Sequence, residues 1–313
     1  MTRTWIRRLA VVGGLIVVLG LLWVLFVPVA TSLGGSDLRA LGPKDRLDAL
    51  STIRNQIGAV LSAAAVGGGL YYTARKFFLD RDKQFTDRFN TAIDHLGASD
   101  EVVRAGGVRA LDRILRDSAT DRDRVLESLT GFLRTHTTNS SDATTADDIT
   151  AAVAVLRNRP RPGKRTTESP LDLRKTRLPQ ANLAAIDLRG ANLTLAELTR
   201  TTLSHAALDN ARLSSATLID ADLTGATLNS AVLAGARLTR ATLTAADLSD
   251  ADLTNADLTR TNLNKTILTN TNLTNTNLKG TDLSGTAGLT NDQITQAQID
   301  ENTLLPHHIN HIP

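Results

Sequence analysis

From Leu173 to Leu283 a leucine stands at every fifth position, 23 of them in register. Two residues before each leucine sits a small side chain in nearly every case: Ala181, Ala191, Ala206 and Ala221 early, Thr261, Thr266, Thr276 and Thr281 late. The residue just before the leucine is often Asn or Asp, as at Asn182, Asp187, Asn192, Asp222, Asp252 and Asn272. A period of five is neither the 3.6 of a helix nor the 2 of a strand. It fits a chain that turns a square corner every five residues. Each side of the square sends one long and one small side chain inward and leaves three positions outward. Four sides make a coil of about 20 residues, and coils stack about 4.8 Å apart like any parallel ladder. The spacing therefore predicts a leucine-filled axis in which Leu183, Leu203, Leu223, Leu243, Leu263 and Leu283 form one of four columns.

Upstream the pattern changes twice. Residues 9–30 are 22 consecutive uncharged residues, mostly Val, Leu and Gly, after Arg3, Arg7 and Arg8. About 20 such residues span a bilayer as a helix. The run is longer than the ~7–15 apolar residues usual in a secretory signal peptide, so a retained anchor is expected. A second, weaker run, "IGAVLSAAAVGGGLYY", predicts a second span over 53–74, ending in Tyr71 and Tyr72 and followed by Arg75 and Lys76. The positive-inside rule then puts the tail 1–8 and everything after residue 74 in the cytoplasm, with 31–52 as an external loop. The Gly, Ala and Ser of the second run suit close helix packing, within a hairpin or between subunits of a homo-oligomer.

Residues 75–157 carry helical spacing: Phe85, Phe89, Ile93 and Leu96, with Gly97 as a stop; then Val103, Ala110, Leu111, Ile114 and Leu115; then Val125, Leu126, Leu129, Phe132 and Leu133. A third helix is predicted near Asp147, with Thr145 and Asp148 spaced as a capping box. In pattern this segment resembles a HEAT or armadillo unit. The basic, Pro-containing stretch 158–169 is predicted to be a linker. After the repeats, residues 288–313 are expected to cap the open end. Gly288 breaks the period, Thr290 and Gln293 make a capping box, Ile294 and Ala297 give a short helix an apolar side, and Leu304 and Leu305 are placed to pack back.

The motif A-(N/D)-L-x-x, as in "ADLTNADLTR" and "ANLAAIDLRGANLTLAEL", resembles the pentapeptide-repeat family. The resemblance covers about 115 residues and implies a right-handed quadrilateral parallel β-helix of somewhat under six coils, ~28 Å long. Family members often place Phe at the central position; this chain uses only Leu. The fold class expected is thus mainly β, a pentapeptide-repeat solenoid behind two transmembrane helices and a small α-helical domain.

Composition narrows the chemistry. The 313 residues contain no cysteine, which excludes disulfides, thiolate metal sites and a Cys nucleophile. No Gly-rich phosphate loop or HExxH stands in the chain. His205 falls at an outward repeat position, and His307, His308 and His311 lie in the tail. No catalytic residue, cofactor or metal is assigned, and the protein is expected not to be an enzyme. Stacking by 20 places Arg200, Asp220, Arg240 and Arg260 in one outward column, a candidate docking stripe. Some relatives of the resembled family mimic duplex DNA and bind a type II topoisomerase, which needs a strongly acidic exterior. Residues 171–285 hold 11 acids and 11 bases, a poor match to one charge per ~1.7 Å. No nucleic-acid partner is expected. The function expected is a scaffold or docking surface for an unidentified protein at the cytoplasmic face of the plasma (inner) membrane, with the lipid bilayer as the other partner. The alternative is an inhibitor or immunity protein acting on a DNA-processing enzyme. An exported β-helix follows if the first segment is cleaved or the second does not span.

Overall fold

Five backbone N–H groups must be satisfied in every repeat, and where Asn or Asp precedes the leucine the sequence pattern accounts for all five. In the unit around Leu193, the Leu193 N–H donates forward to the Arg212 carbonyl (2.7 Å) and Leu195 N–H to Ser214 (3.0 Å), while Asn192 N–H donates back to Leu171 (2.8 Å). Ala191 N–H closes the corner onto the Leu188 carbonyl at 3.0 Å. The fifth, on Thr194, is taken by the side chain of Asn192 at 3.1 Å. The same bond recurs from Ala184 to Asn182, from Thr224 to Asp222 and from Thr254 to Asp252. An Asn or Asp before the leucine is therefore a local Asx device that satisfies the corner. The residue two past the leucine sits at positive φ, for example 57° at Arg200 and 64° at Gly225. None of the residues in that register is Val, Ile or Thr, although Thr abounds elsewhere in the repeats. β-Branched side chains are the ones the left-handed region tolerates least.

The computed structural model describes residues 42–118, 120–137, 146–160 and 169–309. The coils pair through single parallel bridges twenty residues apart, such as Asp172↔Asn192 and Arg177↔Glu197, and no longer strand forms. The result is a four-sided β-helix. All 23 leucines of the fivefold register are buried, and the column Leu183, Leu203, Leu223, Leu243, Leu263 and Leu283 is at most 2% exposed; Leu195, at an outward corner, is 52% exposed.

The chain divides into two compact units, Met1–Gln84 and Phe85–Pro313. The described part of the first unit belongs to helix α1, Pro43–Leu96, which runs on into the second. In the first unit most of its described apolar side chains, among them Leu61, Val66, Leu70, Tyr71 and Tyr72, are exposed. No helix among the described residues is long and apolar enough to cross a membrane, which corrects the expected second span over 53–74. Its uncharged core, Ile57 to Tyr72, has 16 residues. At 1.5 Å each these cover ~24 Å of a ~30 Å hydrocarbon layer, and eleven of them are Ala, Gly, Ser or Tyr. The expected first span, 9–30, lies outside the described residues, as do residues 1–8, 31–41 and 161–168.

The second unit opens with the end of α1, then α2 (Glu101–Asp117), α3 (Arg122–Thr137) and α4 (Asp147–Asn158). Val108, Leu111, Leu115, Val125, Leu129, Leu133, Ile149 and Leu156 make their common core. Gly107 lets α2 meet the end of α1: a Cβ there would stand 2.8 Å from the Ala92 carbonyl oxygen. Asp100 caps α2 by accepting from Val102 and Val103. One expectation fails: Val103 is 40% exposed rather than buried. Thr145 of the expected capping box lies outside the described residues; its partner Asp148 is 1% exposed and paired with Arg104, tying α4 to α2.

The helices are not held off by the predicted linker. Their core is continuous with Leu171 and Leu173, and they plug the first coil. Its backbone lacks the preceding coil that satisfies every later one. Arg134 Nη1 donates to the Asp172 carbonyl and Arg159 Nη2 to the Asp187 carbonyl, both at 2.6 Å. Thr137 Oγ1 accepts from Arg177 N–H at 3.0 Å. At the other end, helix α5 (Asn291–Thr295) carries the expected capping box of Thr290 and Gln293. Gln293 Nε2 donates to the Leu268 and Thr271 carbonyls, and Leu278 and Leu283 donate to the Gln298 and Leu304 carbonyls. Leu304 thus caps with its backbone; its side chain is 54% exposed, not packed back as expected.

Candidate functional site

With both ends of the solenoid closed, its surface for contact is the side walls. The four walls follow from the register: the second carries residues 176–180 and their equivalents every twenty residues to 276–280. Each wall ends in a positive-φ corner residue whose side chain projects outward. On the second wall these corners are Gln180, Arg200, Asp220, Arg240, Arg260 and Gly280.

The structure brings the four expected residues of the stripe into one column. Arg240 grips Asp220 with both arms of its guanidinium, Nε to Oδ1 at 2.7 Å and Nη2 to Oδ2 at 2.8 Å. Arg200 approaches the same carboxylate from the other side, Nε to Oδ2 at 3.8 Å, with 65% of its side chain exposed. The Arg240 hydrogen bond, helped by the charges of Arg240 and Arg200, holds the Asp220 carboxyl below its ordinary range and raises the Arg240 guanidinium above its own. Arg260 has no ion-pair partner among the described residues, and its stem lies over Gly280, where a Cβ would come within 3.4 Å of Arg260 Cγ. The stripe is one filled carboxylate between two guanidiniums, followed by a guanidinium turned to solvent.

Further side chains on this wall were not singled out by the stacking argument. Arg177 pairs with Glu197 at 2.7 Å, one coil on. Arg237 lies beside Asp257 and helps lower its carboxyl, where burial pushes up and hydrogen bonds from Thr259 and Thr239 pull down. Lys279 is exposed at the last coil. A count of charge along each wall, taken with the period of twenty, would have revealed them.

The acids before the leucines are occupied by their own corners: Asp252, Asp257 and Asp282 each accept from the hydroxyl two residues on. No group of His, Asp or Glu that could hold a metal occurs among the described residues. His205 lies flat against Gly225, so a Cβ there would meet its Nδ1 at 2.7 Å, and His308 contacts the Leu289 carbonyl. A groove of about 450 Å³ opens between the end of α1 and α2 over Ala92 and Ile114. Its rim of Asp87, Arg88, Arg113 and Asp117 is charge-balanced.

Residues 176–214, 206–244 and 246–285 match the family model for pentapeptide repeats, in eight copies. No curated protein matches the chain. Solved structures do. A pentapeptide repeat protein of the Arabidopsis thaliana thylakoid lumen is 32% identical over 34% of this chain and 74% of its own, with a TM-score of 0.33. HetL of Nostoc sp. strain PCC 7120, a pentapeptide repeat protein involved in heterocyst differentiation regulation, is 27% identical over 46% and 84%, with a TM-score of 0.21. QnrB1, a plasmid-mediated fluoroquinolone resistance protein, is 15% identical over 44% and 84%, with a TM-score of 0.25. The fivefold leucine register, the Asx-closed corners and the family match lead to one conclusion: the chain belongs to the pentapeptide-repeat family, whose fold is the right-handed β-helix.

Proposed function

We propose that the protein is a non-enzymatic scaffold, tethered to a membrane through residues 9–30, whose β-helix offers its side walls as a docking surface for another protein. The observation that carries this reading is the closure of both ends. The helical plug takes up backbone groups of the first coil and the carboxy-terminal cap those of the last. A solenoid so closed is a rigid bar with long flat faces, the form in which repeat proteins present extended binding surfaces. Thr, Ser, Asn and the charged corners of the walls make directional contacts, and the acids among them are already committed locally.

The face proposed is the cytoplasmic one, the side of Arg39, Lys44, Arg46, Arg75 and Lys76; with 9–30 as the one span, the tail carrying Arg3, Arg7 and Arg8 lies on the opposite side. Protease added to intact cells is expected to spare residues 176–285; their digestion would place them outside. Fractionation without detergent is expected to leave the protein with membranes, and its release into the soluble fraction would overturn the tether. The docking claim is tested by affinity capture from membranes with the intact chain and with a chain lacking residues 170–313. A partner retained only by the intact chain supports it; identical captures, or none, overturn it. The even balance of acids and bases over 171–285 weighs against DNA mimicry. Failure of the excised repeats to inhibit gyrase supercoiling at micromolar concentration is the expected outcome.

A further inference from the structure

The balance of 11 acids and 11 bases conceals a separation of charge across the bar. Assigning each charged residue to its wall leaves the first and third walls within one unit of neutrality. The second wall carries six cations, Arg177, Arg200, Arg237, Arg240, Arg260 and Lys279, against Glu197, Asp220 and Asp257. That is an excess of three positive charges. The fourth wall, on the opposite side of the square, carries Asp187, Asp209, Asp247 and Asp250 against Arg189 alone. That is an excess of three negative charges. The two excesses face opposite ways and cancel in any whole-chain count.

We infer that the second wall is the docking face, and that it takes an acidic helical segment of a partner protein; this rests on the docking reading above. Three features of the wall point to that occupant. Its excess charge is unpaired where it is most exposed: Arg200 reaches Asp220 only at 3.8 Å, and Arg260 and Lys279 make no ion pair among the described residues. Its free cations follow the coils, so Arg260 and Lys279 stand about 4.8 Å apart along the bar, with Arg200 three coils before Arg260. Acids four residues apart on a helix stand ~5–6 Å apart, a close match over the last two coils. Glu197, Asp220 and Asp257 are interleaved among the cations. A continuous polyanion such as a phosphate backbone or an anionic membrane would press on those acids. A helix with discrete carboxylates passes between them and offers each guanidinium a planar two-oxygen acceptor.

The test uses the full chain in a neutral detergent and a fluorescent, alanine-based helical peptide with Glu at every fourth position, followed by anisotropy. Binding is expected at low ionic strength and is expected to weaken at least tenfold in 0.5 M salt, where the screening length is a few ångströms. The variant R200E/R260E/K279E is expected to lose at least tenfold in affinity, and R260Q/K279Q a smaller part of that. Asp250→Lys, on the opposite wall, is expected to change it less than twofold. All of these side chains are exposed, and an unchanged circular dichroism spectrum confirms folding. A wild-type chain that ignores the peptide, a triple variant that binds as well as wild type, or Asp250→Lys matching the triple variant would each overturn the inference. So would preferential binding to phosphatidylserine vesicles or to duplex DNA. Membrane capture separates the two readings: a partner lost on deleting residues 170–313 but kept by the triple variant leaves the docking reading standing and sinks the assignment of the wall.

Discussion

The early and late coils of the β-helix solve one packing problem in two ways. At the small inward position the early coils use Ala, from Ala181 to Ala256 with few exceptions, and the late coils use Thr, from Thr261 to Thr286. Both are buried. The leucine carbonyl beside each small residue has two lone pairs. One accepts the corner N–H in every coil, as when Ala246 donates to Leu243 at 2.9 Å. The other faces a methyl group in the early coils. In the late coils it accepts a threonine hydroxyl from one coil on: Thr266 to Leu243 at 2.7 Å, Thr271 to Leu248 and Thr276 to Leu253 at 2.8 Å. Late coils are therefore stitched by side chains as well as by backbone. They are also the coils farthest in sequence from the helical plug and next to the lighter cap. In a solenoid each unit is stabilised by its neighbours and fraying starts at weak ends, so the stitches fall where the ladder needs them.

If the two halves share one axis and differ only in stitching, deleting a leucine costs the same in each. Leu223→Ala and Leu263→Ala, on one column and both at most 1% exposed, are each expected to cost ~2–5 kcal/mol in urea unfolding followed by circular dichroism. A gap of more than ~1.5 kcal/mol, a tenfold ratio, would mean that the halves pack differently at the axis.

The stitch itself is smaller. Thr266→Val keeps shape and removes one donor, while the Leu243 carbonyl keeps its backbone partner. The cost expected is ~0.5–1.5 kcal/mol. The converse change is Ala221→Thr. Thr201, one coil earlier on the same wall, already sits at this position among alanines and donates to the Leu178 carbonyl at 2.9 Å. Ala221→Thr is therefore expected to be neutral or slightly stabilising. A loss above ~1 kcal/mol, as overpacking gives, would show that the early coils exclude a stitch rather than merely lack one.

What the sequence made legible follows the same division between local and distant causes. The axis, the Asn and Asp corners and the Thr290–Gln293 cap could be read because each cause lies within a few residues of its effect. The plug could not. Arg134 and Arg159 serve carbonyls 38 and 28 residues away, and a carbonyl leaves no mark in the sequence. Leu304 was legible as apolar but serves through its backbone. The stripe of Arg200, Asp220, Arg240 and Arg260 came from the register alone. The charge separation between walls needed the same register applied to every charged residue, and a whole-chain count erased it. At 53–74 the flanking aromatics and cations were read as membrane signals, and a run too short and too rich in Ala and Gly was over-read.

The smallest effect concerns the same acids held by different partners. Early in the repeats the Asp before the leucine is held by an arginine two residues on: Arg174 lowers the Asp172 carboxyl and Arg189 that of Asp187, each chiefly by a side-chain hydrogen bond opposed by burial. Late in the repeats a hydroxyl takes that place, and Ser284 lowers Asp282 by side-chain and backbone hydrogen bonds. A carboxyl whose folded pKa lies below its ordinary value of 3.8 stabilises the fold fully above that value and loses the contribution as pH falls through the folded pKa. Both halves are thus expected to hold their stability from pH 7 down to about 4.5 and to weaken below about 4. Salt separates them. The Arg189–Asp187 fork is an exposed-edge ion pair worth roughly a few tenths of a kcal/mol, and screening weakens it. The Ser284–Asp282 bond has no opposite charge to screen. Measured at pH 6, Arg189→Ala is expected to cost less in 0.5 M salt than in 0.05 M, and Ser284→Ala the same in both. Equal salt dependence would mean that one electrostatic mechanism holds both ends and that the hydroxyl corners are not a separate device.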